Sequence, residues 1–415
     1  MYVDRIDIRG FRSFRKATSV LIHPDQDFKK VGIPEPRLKN INLLLGDNGR
    51  GKTAFLQAVA LLCLGPAVRS SGIYPYYFVR REASTDNTAP PGETSADLGA
   101  DIRTHAQDGR GIEASLRSSL TIRRREDLEE MNWSGVSENQ WNLVFKADSS
   151  AFFAVGYGAS RRTERSERAD LGSRQKSSFA RAQRLQSLFE DDYTLVPMES
   201  WGPRWSVENP ERFKQVVEVI NRIIGHGHYR FTGRLVTGEY EFDKNDLKIP
   251  FRALSDGYRA FFGWVADFMY HLCMTWPANF ELRECAGVAL IDEIDLHLHP
   301  KWQMEVLPKL SKEFPRIQFI VTSHSPLVVG SLEWMNILFM RPTQRQSSVP
   351  ARIHSTVHGL DADQVLLTEF FGLFSSRAPG RSRALRELAL RARDGDVVAA
   401  RELLLELSRG GEQRD

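Results

Sequence analysis

The chain has 415 residues, enough for two or three domains around a large core. Apolar residues make up 41% and charged residues 26%, an ordinary globular balance, and a net charge of +3 does not by itself mark a nucleic-acid-binding chain. No apolar run approaches the roughly 20 residues of a membrane span, and no signal-peptide apolar region opens the chain. Cys63, Cys273 and Cys285 stand in apolar surroundings without metal-ligand spacing, so the expectation is a cytoplasmic protein with buried free thiols.

Residues 2 to 9 alternate as a strand, with Val3, Ile6 and Ile8 apolar among charges, and a second strand is expected around Val20 to Ile22. Between them, Phe11 and Phe14 in Phe11-Arg12-Ser13-Phe14 read as core. Ile41 to Leu45 has the length and bulk of a buried parallel strand. The spacing Gly-x4-Gly-Lys-Thr follows at once, and then an apolar helical pattern at Phe55, Leu56, Val59, Ala60, Leu62 and Cys63. Strand, glycine loop and helix together form the context of a phosphate-binding P-loop. Gly49 and Gly51 let backbone N–H groups converge on phosphate oxygens, and the helix adds the positive end of its dipole. Lys52 is expected to reach the terminal phosphates and Thr53 to ligate Mg²⁺. The stretch Gly46, Asp47, Asn48, Gly49, Arg50, Gly51, Lys52, Thr53 and Ala54 is thus the first candidate site, for ATP or GTP.

Residues 66 to 100 read as loop, with Tyr74, Tyr76, Tyr77 and Phe78 as a satellite cluster. Strands are expected at 112 to 123, at 141 to 147 and at Phe152 to Val155, the last ending in the turn Gly156-Tyr157-Gly158-Ala159-Ser160-Arg161-Arg162. Residues 161 to 184 hold eight Arg or Lys against three Asp or Glu. They read either as a solvated basic segment or as a nucleic-acid contact through Arg174, Lys176 and Arg181. A helix over 207 to 224 starts at a capping Asn209 and Pro210, with Phe213, Val217, Ile220 and Ile224 on one face. His226 and His228 after it lack a third ligand, so no metal is assigned there. A hairpin follows, 229 to 236 and 239 to 243, turning at Thr237-Gly238.

Three further motifs come in order. Leu254-Ser255-Asp256-Gly257 opens a long helix from about 256 to 275; Ser255 is a natural N-cap, and this helix end could receive an anion. Gly287 to Ile291 is an apolar strand ending in Asp292 and Glu293, which places both carboxylates at the carboxyl edge of a parallel sheet. Asp292 is expected to hold Mg²⁺ and Glu293 to polarise the attacking water. Phe319 to Thr322 is a third buried strand, leading to Ser323-His324-Ser325-Pro326, where His324 could hydrogen-bond the γ-phosphate or the water. His297 and His299, between these motifs, read as loop and subunit-contact residues.

This order of motifs, with Ile291-Asp292-Glu293-Ile294-Asp295-Leu296-His297-Leu298-His299-Pro300, resembles the ABC-type ATPases of the SMC, RecF and OLD group. The turn Gly156 to Arg161 and Asp363-Gln364-Val365-Leu366-Leu367 resemble stand-alone ATPase subunits of bacterial anti-phage defence systems of the Septu (PtuA-like) kind. The resemblance implies an α/β fold, an ABC-type P-loop ATPase head with a mixed sheet flanked by helices, carrying an inserted helical subdomain and a C-terminal helical hairpin. The implied divisions are an N-terminal head lobe at 1–160, the insertion at 161–248, a C-terminal head lobe at 249–345 and a helical extension at 346–415. The resemblance further implies a homodimer or higher even oligomer. Each ATP would lie between the P-loop of one subunit and Ser255, Asp256 and Gly257 of the other, with Asp295 near the seam. The implied partner is a separately encoded effector, a nuclease of HNH type. A DNA repair or recombination ATPase that contacts DNA, and an ATP-stabilised scaffold, remain the alternatives. The sequence departs from transporter ATPases in having Asp256 and Tyr258 within the signature, and it offers no Q-loop glutamine; the 156 to 161 turn takes that place.

Asp361 and Asp363 form an Asp-x-Asp pair, but no upstream glutamate-bearing strand accompanies them, so a fused nuclease is not expected. Helices at about 381 to 393 and 397 to 408, joined by Asp394-Gly395-Asp396, form the expected terminal hairpin.

Overall fold

The computed structural model describes the chain except for residues 82–92, 106–107, 109–111, 127, 136–138, 142–152, 164–179, 226–228, 278, 344–346, 374–378, 394–395 and 409–415. The expected strand at 141 to 147 lies outside the described residues except for Trp141, which is helical, and the His226 and His228 pair, Arg174 and Lys176 lie outside them as well.

Ile41–Leu45, Gly287–Ile291 and Ile317–Thr322 are buried at every position, as strands covered on both faces must be. They are the centre of a six-stranded sheet ordered Ser347–Ala351, Ile337–Thr343, Ile41–Leu45, Ile317–Thr322, Gly287–Ile291, Ala154–Tyr157. Every pairing is parallel except the hairpin between Ile337–Thr343 and Ser347–Ala351. Tyr157 stands opposite Ile291, Ile291 opposite Val321, and Thr322 opposite Leu44. Four strand ends therefore meet at one edge, where open α/β sheets bind their ligands.

The first two strands do not join that sheet. They belong to an antiparallel sheet of five, ordered Phe14–Val20, Tyr2–Phe11, Ser95–Arg103, Ser115–Arg125, Leu128–Gly135. The second strand begins at Phe14 rather than near Val20, because Arg12 and Ser13 make the turn and Phe11 pairs with Phe14. The stretch read as loop from 66 to 100 contains a 3-10 helix, Gly65–Ser70, and the strand Ser95–Arg103, whose buried side is Ala96, Leu98, Ala100 and Ile102.

Between the sheets lies the helix Lys52–Leu64, buried along nearly all of its length and touching strands of both. Against the expectation that no apolar run approaches a membrane span, the stretch Lys52–Ser70 is long and apolar enough to cross one by length and composition, yet 72% of its most apolar 18-residue window is buried inside this core. Side-chain amides join the layers. Gln318 exchanges both hydrogen bonds with the backbone of Val3, each at 2.8 Å, and Asn42 does the same with Ile22, each at 2.7 Å. Both amides are fully buried, and each is satisfied.

Residues 198 to 250 bring two helices, Met198–Glu208 and Pro210–Ile224, and strands Arg230–Val236, Glu239–Lys244 and Leu247–Pro250. Asn209 sits at the N-cap but makes no side-chain cap bond. It is also where the preceding helix ends, its N–H donating to the Trp205 carbonyl at 2.9 Å, so its backbone serves both helices. Met1–Gly359 form one compact unit, since the sheet continues past residue 345 through Ser347–Ala351. Leu360–Asp415 form another. In that second unit Pro379–Arg393 and Val397–Ser408 pack as a hairpin, with the Asp396 carboxylate accepting from the Val398 and Ala399 N–H groups at 3.0 Å.

Candidate functional site

The P-loop connects a buried strand to a buried helix, and Gly51 is the point where side-chain space runs out. Its φ is +89°, and a Cβ there would lie 2.9 Å from the Ser13 Cβ and 3.1 Å from the Phe14 ring. The Arg12-Ser13 turn of the antiparallel sheet thus backs onto the loop, and the Ser13 hydroxyl donates to the Gly49 carbonyl at 3.4 Å. Lys52 reaches back along the loop, donating to the carbonyls of Gly46 at 2.8 Å and Asp47 at 3.1 Å. Burial pulls its pKa down, while Asp292 and Glu293 oppose that shift.

The two acids follow the strand Gly287–Ile291. Asp292 is buried and takes a hydrogen bond on each oxygen, from the Thr53 hydroxyl at 2.6 Å and from the Thr322 hydroxyl at 2.5 Å. Thr322 also accepts the Glu293 N–H at 2.7 Å. Glu293 itself has φ +48°, in the left-handed region that side-chain-bearing residues seldom occupy. The chain is pinned on either side of it: the Asp292 N–H donates to the Tyr157 carbonyl at 2.8 Å and the Ile294 N–H to the Thr322 carbonyl at 2.9 Å. The Arg161 guanidinium donates to the carbonyls of both Asp292 and Glu293, the latter at 2.8 Å.

One pocket of about 240 Å³ collects Arg12, Ser13, Asn48, Gly49, Gly51, Lys52, Thr53, Ala54, Asp292, Glu293 and His324. Burial, and after it the charge on Lys52, hold the His324 pKa below its ordinary value, so its imidazole is neutral near pH 7. Gly46, Asp47 and Arg50 lie on the loop outside this lining, with Arg50 within 3.8 Å of the Asp47 carboxylate. The donor set of Thr53 and Asp292 is one hydroxyl and one carboxylate facing a basic loop, which fits Mg²⁺ completed by waters and phosphate oxygens.

Ser255, Asp256 and Gly257 do not join that pocket. They form the start of the helix Asp256–Thr275, Ser255 and Asp256 exposed and Gly257 half-buried, where the Ser255 hydroxyl accepts the Tyr258 N–H at 3.4 Å and Asp256 pairs with Arg259. A Cβ on Gly257 would lie 2.6 Å from the His297 carbonyl oxygen, so this helix start rests directly on the turn after the acids. His299 caps the helix Pro300–Glu313, its Nδ1 accepting the Lys301 N–H at 3.3 Å.

Three site residues escaped sequence reasoning. Arg12 sits between two aromatics that read as core and itself carried no motif, nor did Ser13, and Thr322 is an ordinary β-branched strand residue. Only the register of the strands brings the last against Asp292. Arg161 was visible as part of a glycine turn, with nothing to say that it reaches the acids.

Comparison with known proteins places these features. The chain is 24% identical over 383 residues to the Septu protein PtuA of Bacillus mycoides (strain KBAB4), covering 90% of this chain and 45% of that protein. Over 103 residues it is 40% identical to the Retron Ec83 probable ATPase of Escherichia coli, covering 25% of this chain and 19% of that protein. The chain thus spans less than half the length of these two relatives. Among solved structures, an SMC head bound to the C-winged helix domain of ScpA superposes with a TM-score of 0.50 at 12% identity, covering 85% of this chain and 98% of that one. The fold is that of an SMC-type head, with a parallel-containing sheet flanked by helices. Residues 77–330, which begin after the P-loop and include Ser255, Asp292, Glu293 and His324, match the family model described as "AAA domain, putative AbiEii toxin, Type IV TA system". That match spans more than half of the chain, and the chain belongs to this AAA family.

Proposed function

We propose that the chain is a Mg²⁺-dependent ATPase that closes as a homodimer around two ATP molecules and governs a separately encoded effector, a nuclease, in anti-phage defence. The observation that carries the ATPase reading is the convergence of Lys52, Thr53, Asp292, Glu293 and His324 on one pocket. The P-loop amides and Lys52 bind the phosphates, and the neutral His324 imidazole donates one hydrogen bond toward the terminal phosphate or the attacking water. Glu293, at the pocket wall, takes the proton from that water. Thr53 and Asp292 would hold Mg²⁺, which when bound neutralises charge on the phosphate oxygens. Arg12 adds a second cation to the pocket, held by the Phe78 ring 4.9 Å from its guanidinium carbon. The helix start at Ser255, Asp256 and Gly257 supports the dimer, because a helix N-terminus that misses its own pocket can supply N–H donors to a partner's ATP.

The defence role rests on likeness to Septu-type and retron ATPases, and the effector follows from that resemblance. Residues 161–248 act as an insertion between the head lobes that begin at 1–160 and resume at 249; the second lobe runs past 345 through Ser347–Ala351 to Gly359, and the extension is Leu360–Asp415. Steady-state hydrolysis with Mg²⁺ tests the site. Glu293→Gln is expected to lower kcat by ~10²-fold or more with ATP binding retained, and Lys52→Ala to abolish turnover by weakening phosphate binding; EDTA should stop the wild type. Wild-type turnover in either variant removes the site assignment.

A further inference from the structure

We propose that Arg161 is a positioning residue for Glu293, acting through the backbone carbonyls on which it closes, and not a ligand of nucleotide. The inference rests on the ATPase reading above. Arg161 is not among the side chains lining the phosphate pocket. Its Nε donates to the Gly158 carbonyl at 3.2 Å, and a single terminal nitrogen, Nη2, donates to the carbonyls of Asp292 and Glu293. The ring of Trp264, on the helix Asp256–Thr275, lies 5.7 Å from its guanidinium carbon. The guanidinium is thus held by the loop before it and by the helix beneath it while it grips the turn that carries the acids.

The turn needs that grip. Glu293 adopts φ +48°, a conformation that glycine takes freely and a glutamate does not. The three N–H groups of Asp292, Glu293 and Ile294 are taken by Tyr157 and Thr322. The carbonyls of Asp292 and Glu293 both accept from Arg161, and that of Glu293 also accepts the Leu296 N–H at 3.0 Å. Removing the guanidinium takes the side-chain donor from the Asp292 carbonyl and leaves the Glu293 carbonyl with the Leu296 N–H alone; the backbone can then relax toward ordinary φ, which swings the Glu293 side chain. A lysine cannot replace it, because one ammonium on a flexible stem does not offer Nε and Nη2 in a fixed plane. The P-loop bonds of Lys52 are made elsewhere, to Gly46 and Asp47, so ATP binding does not depend on this contact.

The full chain carrying Arg161→Met or Arg161→Lys tests this against wild type. The readouts are kcat and KM for ATP, affinity for a fluorescent non-hydrolysable ATP analogue, and amide hydrogen exchange over residues 291–296 against the helix Lys52–Leu64. For Arg161→Met, kcat should fall by ~10²-fold, as misplacement of a catalytic group by about 1 Å does. KM and analogue affinity should stay within about twofold, and exchange at 292–294 should quicken about tenfold or more with the helix unchanged. Arg161→Lys should recover only part of kcat, and it decides on the same readouts should Arg161→Met fail to fold. Unchanged kcat, or exchange quickened equally throughout the core, overturns the proposal. If wild type shows no turnover, the ATPase reading fails, and the exchange difference alone still decides whether Arg161 holds the turn.

Discussion

Glu293 holds its side chain at the pocket wall from a backbone conformation worth about 1–3 kcal/mol of strain. Thr322 offsets part of that cost, since one buried hydroxyl both accepts the Glu293 N–H and donates to Asp292. The acids themselves were legible in the sequence, because two adjacent carboxylates after a fully apolar strand have no packing use. Thr322 and Arg12 were not, because a threonine ending a strand and an arginine between phenylalanines look the same whether or not the fold turns them to a site. His324 was legible by place, and its environment yields a pH dependence. Burial and Lys52 both depress its pKa, so the folded free protein prefers the neutral ring. The contribution of that ring to stability and rate is therefore present above the ordinary value of about 6.5 and lost as pH falls through the lower folded value. The acid limb of kcat/KM should accordingly lie below pH 6.5 and disappear in His324→Gln. A limb centred above that value in the wild type, unmoved by the substitution, would contradict this assignment.

Among the elements, the helix Asp256–Thr275 was readable nearly to the residue, because a serine cap, an acid in the first turn and an apolar face all agree. Strands of the antiparallel sheet were harder. Ser95–Arg103 does alternate, but its buried side includes Ala96 and Ala100, too small to register as an apolar stripe. Leu128–Gly135 buries a glutamate, Glu129, whose carboxylate accepts the N–H groups of Phe78 at 2.8 Å and Val79 at 3.2 Å, while Leu128 is exposed. Alternation inverted in this way can only be read with the neighbouring loop in view. The helix start also carries a prediction. Gly257→Ala would push a Cβ into the His297 carbonyl, a backbone atom that cannot step aside cheaply. The expected result is a loss of about 1–3 kcal/mol by thermal or denaturant unfolding, typical of overpacking. ATP turnover should fall about tenfold or more while the isolated subunit still binds nucleotide, checked by equilibrium binding at low protein concentration.

For the whole molecule, the proposed dimer divides the site between the P-loop pocket of one subunit and the helix start of the other, so under that proposal turnover depends on subunit encounter. Specific activity should rise with protein concentration until the dimer saturates. Glu293→Gln should accumulate an ATP-bound dimer on size-exclusion chromatography; if it elutes as a monomer with saturating ATP and Mg²⁺, the two-subunit site is wrong. The buried amides of Gln318 and Asn42 bear on how such a dimer could move. Gln318 tethers the core sheet to Val3 of the antiparallel sheet, and Asn42 tethers it to Ile22 just past the second strand; each releases its partners only at the expense of several buried hydrogen bonds at once. Sliding one sheet over the other is thereby blocked near Val3 and Ile22. In the proposed ATP-driven dimer the two layers would then travel as a single block, and work on a partner would leave through loops and helix ends, not through shear within the core.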